Sequence, residues 1–272
     1  MGIRRSLLFS GYRLLRATGY LRLKTRLRPR ASVLMYHRVN DYDGSELTTP
    51  TAVFAEMLQR LARECHVIPL SDLVRTLECG GAIEPRTVVI TFDDGYRDNL
   101  KVAAPLLARH GLPATFFIAT GHVDSGRPFP WDGSSGADNP VMTWDEVREL
   151  AGMGFAIGAH TVNHVNLGKA TLAEARAEIV GSKARLEAVL GREVTLFAYP
   201  FGGKAFIRDE VRAIVREAGL HCCCNGYAGK VRAGSDPFSL DRNPMYPSTT
   251  ELFMDIDEFS IYRDGRQIVT PF

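Results

Sequence analysis

Two neighbouring aspartates are the residues of this sequence best placed to do chemistry. Asp93 and Asp94 directly follow residues 87–92 (TVVITF), a run of β-branched and aromatic residues that is typical of a buried strand. Adjacent carboxylates at a strand end are costly unless a positive group binds there. Gly95 permits the turn that lets both side chains converge. The alternative is an exposed Asp-Asp turn without a function.

Two histidines occupy a similar position after another apolar run. His160 and His164 follow residues 155–159 (FAIGA) and lie four residues apart. Two imidazoles and one carboxylate can hold a metal ion and still leave positions open for water and substrate, as catalytic rather than structural sites do. The second carboxylate is then free to act as a base. The alternative is a pair of unrelated loop histidines.

Short apolar runs alternate with amphipathic stretches along most of the chain. This alternation predicts an α/β fold of parallel strands covered by helices, and about seven repeats favour a β/α barrel over an open doubly wound sheet. In a barrel the carboxyl ends of the strands share one face, which brings the aspartates and histidines together. The predicted strands are 32–36, 67–70, 87–92, 114–119, 155–159, 194–199, 221–224 and 238–245, and the predicted helices are 51–64, 98–110, 143–152, 171–190 and 207–219.

The two motifs together resemble those of the polysaccharide deacetylases, also called NodB-homology or carbohydrate esterase family 4 enzymes. The motifs are TFDDGY at 91–96 and HTVNH at 160–164, and the resemblance covers roughly residues 31–245. It implies a NodB-like, distorted (β/α) barrel of about seven parallel strands. It also implies hydrolysis of N- or O-acetyl groups from sugars with the help of a divalent metal ion.

The resemblance implies a role for each residue of these motifs. Asp93 is the general base that activates water, and Asp94, His160 and His164 bind the metal. Thr161 supports the shape of the histidine motif. Zinc suits this mixture of nitrogen and oxygen ligands, and cobalt, nickel and manganese are also compatible with it.

Residues 198–202 (AYPFG) occupy the place of the family's Arg-x-Pro-Tyr motif. The resemblance implies that the backbone N–H of Phe201 helps to stabilise an oxyanion, and Tyr199 is predicted to contact the substrate. The arginine that orients the base in the family is replaced by Ala198. Arg242 is the candidate substitute, and a surface ion pair is the equal alternative for it.

The family's Leu-x-x-His motif near the C-terminus is also missing, since no histidine follows His221. Residues 33–39 (VLMYHRV) resemble the opening of the branch that deacetylates poly-N-acetylglucosamine, in which the motif order is circularly permuted. The resemblance implies that His37 is the general acid that protonates the leaving amine. The alternative is a buried histidine hydrogen-bonded near the first strand.

Residues 121–142 form a long stretch rich in Gly, Pro, Ser and Asp after a predicted strand. Stretches of this length without secondary structure are usually functional loops, and in a barrel this one lies on the same face as the motifs. Trp131 is predicted to stack against a sugar, and Asp132 to contact its hydroxyl groups. The alternative is that these residues anchor the loop.

Charge is unevenly distributed in this chain of 272 residues, which has 33 basic and 31 acidic residues. Residues 1–30, here called the basic arm, contain nine Lys or Arg and no acid, so residues 31–272 carry a net charge of −7. The near-neutral total argues against a nucleic-acid binder. No apolar run approaches the 18 residues of a membrane-spanning helix.

The basic arm does not resemble a secretory signal peptide, because Arg13 and Arg16 interrupt its apolar residues. Its apolar residues fall roughly on one side of a helix, which predicts contact with an anionic membrane surface. The alternative is a solvated helix packed on the edge of the domain. The residues of this predicted apolar side are Leu7, Leu8, Tyr12, Leu15 and Leu21.

These observations predict a basic arm at 1–30 and one catalytic domain at 31–272. The function they predict is metal-dependent removal of acetyl groups from N-acetylated sugars of a polysaccharide or lipid-linked oligosaccharide. The alternatives are an O-acetyl esterase and a non-catalytic glycan-binding relative. Three consecutive cysteines, 222–224, favour a reducing compartment, so the predicted location is cytoplasmic, peripheral to the inner face of the membrane.

Overall fold

The fold is a nearly closed barrel of seven parallel strands, surrounded by helices. The computed structural model describes residues 2–132, 138–263 and 266–269. Around the barrel the strands follow the order β10-β1-β5-β6-β7-β8-β9. Their bounds are β1 Ala31–Tyr36, β5 Thr87–Phe92, β6 Thr115–Ile118, β7 Ala156–Ala159, β8 Leu196–Ala198, β9 Cys222–Cys224 and β10 Arg242–Asn243.

The barrel closes between its last two strands. A parallel bridge joins Cys224 of β9 to Leu240, two residues before β10 begins. The sequence prediction of a barrel is therefore confirmed, and the open doubly wound alternative is wrong. Shorter strands lie beside the barrel: β2 Arg38–Val39 pairs with β3 Thr48–Thr49, β4 His66–Val67 pairs with β5, and β11 Ser260–Arg263 pairs with β12 Arg266–Val269.

The helices agree well with the amphipathic stretches of the sequence. Two of these helices begin with capping boxes, formed by Thr143 with Glu146 and by Thr171 with Glu174. The helix bounds are α1 Gly2–Ala17, α2 Tyr20–Leu27, α3 Thr51–Glu64, α4 Leu70–Glu78, α5 Ala104–Arg109, α6 Thr120–Ser125, α7 Trp144–Gly152, α8 Leu172–Leu190, α9 Asp209–Glu217 and α10 Thr249–Ile256. A π-helical turn, Asn99–Ala103, precedes α5.

Helix α4 corrects one prediction. Residues 67–70 were expected to form a strand, but β4 ends at Val67 and α4 begins at Leu70. The buried residues Leu70, Leu73, Val74 and Leu77 have helical spacing, and they pack against the residues inside the barrel. The apolar run therefore contains the end of the short strand β4, as predicted, and the start of a helix that contributes to the core inside the barrel.

Side chains of each barrel strand alternate between the inside of the barrel and the layer beneath the helices. On β9, Cys222 and Cys224 belong to the inner cluster and Cys223 to the outer one, and all three are fully buried. The three thiols therefore face two directions and pack as small apolar groups on a strand that the sequence predicts.

The basic arm folds as α1 and α2, and part of it packs on the body. Tyr12 and Leu21 are buried in the main core, and the Tyr12 hydroxyl donates a hydrogen bond to Asp257. The predicted lipid-facing side is therefore corrected, because two of its five residues face the body and only Leu7 among them is largely exposed. None of the helices in the described part of the chain has both the length and the apolar character needed to cross a bilayer.

A substitution at Gly158 of β7 tests the packing inside the barrel. A Cβ atom at this position would lie 2.5 Å from the ring of buried Phe117 and 3.0 Å from the Leu196 carbonyl oxygen. We expect Gly158→Ala to lower the free energy of unfolding by about 1–3 kcal/mol, because the ring must move in a packed core. Urea unfolding measures this value.

The matched control is Gly152→Ala in α7, where a Cβ atom meets nothing within 4 Å. This change should leave stability the same or raise it slightly, because alanine favours a helix more than glycine does. Equal loss of stability in the two variants would contradict the packing argument.

Candidate active site

The predicted chemical residues meet at one mouth of the barrel. A cavity of about 230 Å³ opens there. The side chains after β1, β5, β7 and β8, together with one from β10, reach it because the carboxyl ends of parallel strands share one face. The lining residues are Met35, His37, Leu47, Asp93, Asp94, Trp131, His160, His164, Tyr199, Phe201, Gly202, Gly226 and Arg242.

The chain turns sharply between the two aspartates. The backbone N–H of Asp93 still donates to the Tyr36 carbonyl oxygen of β1 at 2.9 Å. Asp94 then adopts a φ of 76° and Gly95 a φ of 87°. The predicted turn is confirmed, although it begins at Asp94 itself, and it directs both carboxylates into the cavity.

Three side chains converge as a metal ion requires. The Oδ1 atom of Asp94 lies 3.5 Å from Nε2 of His160 and 3.3 Å from Nε2 of His164. The ligand atoms of these residues all lie within 4.8 Å of one another. Burial alone would raise the pKa of Asp94, but the two neighbouring imidazoles outweigh it and hold that pKa well below its usual range. The site therefore contains a carboxylate at neutral pH.

The hydrogen bond at Nδ1 of His160 determines whether its Nε2 can bind a metal ion. Its Nδ1 lies 2.8 Å from the Ala198 carbonyl oxygen. A carbonyl only accepts hydrogen bonds, so Nδ1 carries the proton and a neutral His160 turns the lone pair of Nε2 toward Asp94. A lone pair so close to a buried carboxylate needs a cation or a proton between them. The donor set therefore fits a divalent metal ion.

Arg242 binds the first aspartate from the last strand of the barrel. Its Nη1 and Nη2 donate to the two carboxylate oxygens of Asp93 at 2.6 and 2.7 Å, and its Nε donates to the Asn225 carbonyl oxygen. Arg242 is fully buried. The surface ion pair considered as its alternative is therefore wrong, because the pair is buried and Arg242 binds both oxygens of Asp93, a contact that Ala198 cannot make.

The guanidinium also controls the charge of Asp93. Burial raises the pKa of this carboxyl, but the positive charge of Arg242 outweighs the burial and lowers the pKa below its ordinary value. Asp93 is therefore ionised and oriented by two parallel hydrogen bonds.

His37 borders the cavity just after β1. The Asn99 side chain donates to its carbonyl oxygen at 2.8 Å, and the Asp98 carboxylate accepts the N–H of Val39 at 3.1 Å. These contacts attach the His37 segment to the chain that follows the two aspartates. Burial lowers the pKa of His37, and the nearby charges of Asp94 and Asp93 oppose this effect.

Phe201 lies at the mouth of the cavity. Its φ is 61°, and the residue is 54% exposed. The ring centroid lies 4.9 Å from that of His164 and 6.2 Å from that of Trp131. The next residue, Gly202, must lack a side chain because a Cβ atom there would lie 2.3 Å from the Gly226 nitrogen.

Backbone strain is concentrated around the cavity. Among the described residues, six that are not glycine have positive φ, and four of them are Asp94, Thr161, His164 and Phe201. Thr161 is fully buried between the two histidines, and its carbonyl oxygen accepts the N–H of Thr120. Such strained residues persist where the surrounding structure holds them, and they cluster at functional sites.

Two predicted substrate contacts need correction. Asp132 is only 3% exposed, and its carboxylate accepts hydrogen bonds from Arg38, Tyr96 and the Phe129 N–H. It therefore anchors the loop, which was the alternative considered for it. Tyr199 borders the cavity, but its buried ring packs against Phe197 in the outer layer, so the ring is not available to a substrate.

Trp131 remains a residue that a sugar could contact. It borders the cavity, and its Nε1 donates to the Tyr96 hydroxyl at 2.9 Å, which fixes the indole. Arg38, which was not among the predicted site residues, is buried and pairs with Asp43 and Asp132. An arginine next to His37 and two residues after a predicted buried strand was a usable signal, because a buried charge requires a partner.

Known proteins share these features. A family model described as Polysaccharide deacetylase matches residues 80–223, more than half of the chain. The Bacillus subtilis (strain 168) protein YxkH, whose name assigns it to the polysaccharide deacetylases, is 26% identical over 189 residues. The match covers 66% of this chain and 60% of YxkH, so this chain spans less than two thirds of that relative.

Two solved structures share the fold. The deacetylase PplD of Streptococcus pyogenes, in complex with acetate, has a TM-score of 0.74 and 23% identity, and the match covers 84% of this chain and 99% of PplD. IcaB from Ammonifex degensii has a TM-score of 0.73 and 23% identity, with 84% and 97% covered.

The donor set predicts a measurable metal affinity. Zn²⁺ titrated calorimetrically into chelator-treated protein should bind at one site. His164→Gln should weaken this binding more than ~100-fold, because even residues that only support a ligand change affinity by 10–100-fold. The exposed His221 provides the control variant His221→Gln, which should bind Zn²⁺ normally. Equal affinity of the two variants would contradict the assignment.

Proposed function

The chain belongs to the polysaccharide deacetylase family, and from this premise we propose that it is a metal-dependent hydrolase that removes acetyl groups from the N-acetylated sugars of a glycan. One observation carries the proposal. A single cavity is lined by a three-residue metal donor set, an arginine-bound aspartate and a histidine, and these are the parts that amide hydrolysis needs.

Asp94, His160 and His164 would hold the metal ion. When bound, a divalent cation polarises the acetyl carbonyl group and lowers the pKa of water. Zinc fits the two nitrogens and one oxygen, and cobalt, nickel and manganese fit them as well.

The residues around the donor set supply the proton transfers. Asp93, held as a carboxylate by Arg242, accepts a proton from the water that attacks the carbonyl carbon. The backbone N–H of Phe201 stabilises the oxyanion that forms. Protonated His37 then gives its proton to the nitrogen as the C–N bond breaks, so the products are acetate and a free amino sugar.

The shape of the cavity supports a sugar as the group that carries the acetyl. A volume of about 230 Å³ suits one acetylated residue, and the rings of Trp131 and Phe201 stand beside it. We propose a polysaccharide or a lipid-linked oligosaccharide as the substrate. The position of His37 in the cavity supports the branch that acts on poly-N-acetylglucosamine.

Acetate release from N-acetylglucosamine oligomers tests the proposal. Chelation should abolish the release, and Zn, Co, Ni or Mn should restore it. Asp93→Asn should slow the reaction by about 10²–10⁴-fold, as loss of a general base does. If the protein binds the oligomers but releases no acetate with any of these metals, the non-catalytic alternative is correct.

His37→Ala separates amide from ester hydrolysis. An amine leaves only after it is protonated, whereas an ester alkoxide depends less on a proton donor. We therefore expect a larger loss on N-acetyl than on O-acetyl substrates, with His221→Ala unchanged on both. An equal loss on both substrates would contradict the acid role of His37.

The Asp93–Arg242 pair predicts a pH effect. The pKa of Asp93 is depressed by Arg242, so the base stays ionised below the usual range of aspartate. In Arg242→Gln the burial remains without the charge, so the pKa should rise and the acid limb of kcat/KM should move to higher pH. Arg242→Lys, which keeps the charge, should shift less. An acid limb unchanged in Arg242→Gln would contradict this origin of the shift.

A further inference from the structure

The basic arm presents an apolar outer face that the body does not cover. Leu7 and Leu14 of α1 are each 68% exposed, and Leu27 of α2 is 73% exposed. Tyr20 and Leu23 of α2 are 47% and 56% exposed. Leu7 and Leu14 lie seven residues apart, and so do Tyr20 and Leu27, so each pair lies on one side of its helix. We call these five residues the outer face.

The rest of the arm is held firmly against the body. Arg16 pairs with Glu64, Lys24 donates to the Glu258 carbonyl oxygen, and Arg30 lies 3.6 Å from the Glu258 carboxylate. Tyr12 and Leu21 fill the core beneath these pairs. The exposed leucines therefore belong to well-packed helices, because the opposite side of each helix is bound to the body.

Positive charge surrounds the outer face. Arg13, Arg22, Arg26 and Arg28 are exposed among its residues, and residues 1–30 contain no acidic side chain. Exposed leucines are costly in water, and together with exposed arginines they complement an interface that is apolar inside and negative outside.

We propose that the outer face docks on the surface of an anionic phospholipid bilayer. The leucines enter the boundary between headgroups and acyl chains, and the four exposed arginines lie at the level of the lipid phosphates. This inference is independent of the catalytic proposal, because it uses none of the residues that line the cavity.

Two other occupants fit the surface less well. A second copy of this chain, docked face to face, would bring exposed arginines against arginines. A nucleic acid would neutralise the arginines but leave the leucines in water, because phosphates offer them no apolar contact. The bilayer satisfies both features of the surface.

The proposed location follows from the same chemistry. Anionic lipids give the cytoplasmic leaflet its negative surface potential. The described part of the chain contains five free cysteines, which suits a reducing compartment. We therefore place the docked protein at the inner face of the membrane.

Cosedimentation of the full chain with vesicles tests the proposal. Vesicles of phosphatidylcholine with 30% phosphatidylglycerol should bind the protein, and pure phosphatidylcholine should bind it far less. Binding should weaken between 0.1 and 0.5 M NaCl, because salt screens the arginines. The leucine variant replaces Leu7, Leu14, Leu23 and Leu27 by Gln, and the arginine variant replaces Arg13, Arg22, Arg26 and Arg28 by Gln.

Each variant should lower the partition coefficient by at least ~10-fold, and the arginine variant by ~100-fold or more, since each basic residue near an anionic surface contributes about fivefold. The matched control removes four exposed arginines from the body and should bind like the parent. Its substitutions are Arg63→Gln, Arg75→Gln, Arg148→Gln and Arg176→Gln.

Several results would overturn the inference. One is equal partitioning of the parent and both arm variants, and another is equal binding to anionic and neutral vesicles. A third is a dimer in sedimentation velocity that the leucine variant abolishes while vesicle binding is absent, which would assign the face to a second copy. Circular dichroism of each variant checks that α1 and α2 remain folded.

Discussion

The bidentate contact between Arg242 and Asp93 lies in the candidate active site and also at the seam where the barrel closes. A buried carboxylate without a partner is strongly unfavourable, and so is a buried guanidinium. Arg242 comes from β10 and also binds the Asn225 carbonyl oxygen after β9 and the Thr91 hydroxyl of β5. The same side chain therefore links strands on both sides of the barrel's closing seam and orients the carboxylate of Asp93.

Around this pair the backbone adopts conformations that an isolated chain would avoid. Asp94, Thr161, His164 and Phe201 all have positive φ, and each such residue costs on the order of 1–3 kcal/mol. The barrel and its helices stabilise them by holding the neighbouring segments in place. The site is therefore a product of the whole fold, and its local motifs would not hold this geometry alone.

The sequence predicted the site best where the signal was local. Asp94 and His160 follow strands that the sequence predicts, and the carboxyl ends of parallel strands in a barrel share one face, so the fold alone brings the two residues together. Arg242 could only be a candidate, because its partner lies 149 residues earlier. The prediction that Tyr199 contacts the substrate was wrong, although strand alternation could have shown this. Ala198 faces the barrel interior, so the next side chain along the chain faces outward. Asp132 could not be placed, because the arginine that binds it lies 94 residues earlier in the sequence.

Arg242 lies on the last barrel strand in chain order, so it is synthesised after the other residues of the site. A growing chain that has emerged from the ribosome as far as His164 already contains Asp93 and the three residues of the proposed metal donor set. It still lacks β10, and with it the guanidinium that binds both carboxylate oxygens of Asp93. Translation therefore delivers the donor set first and the bidentate partner of Asp93 last.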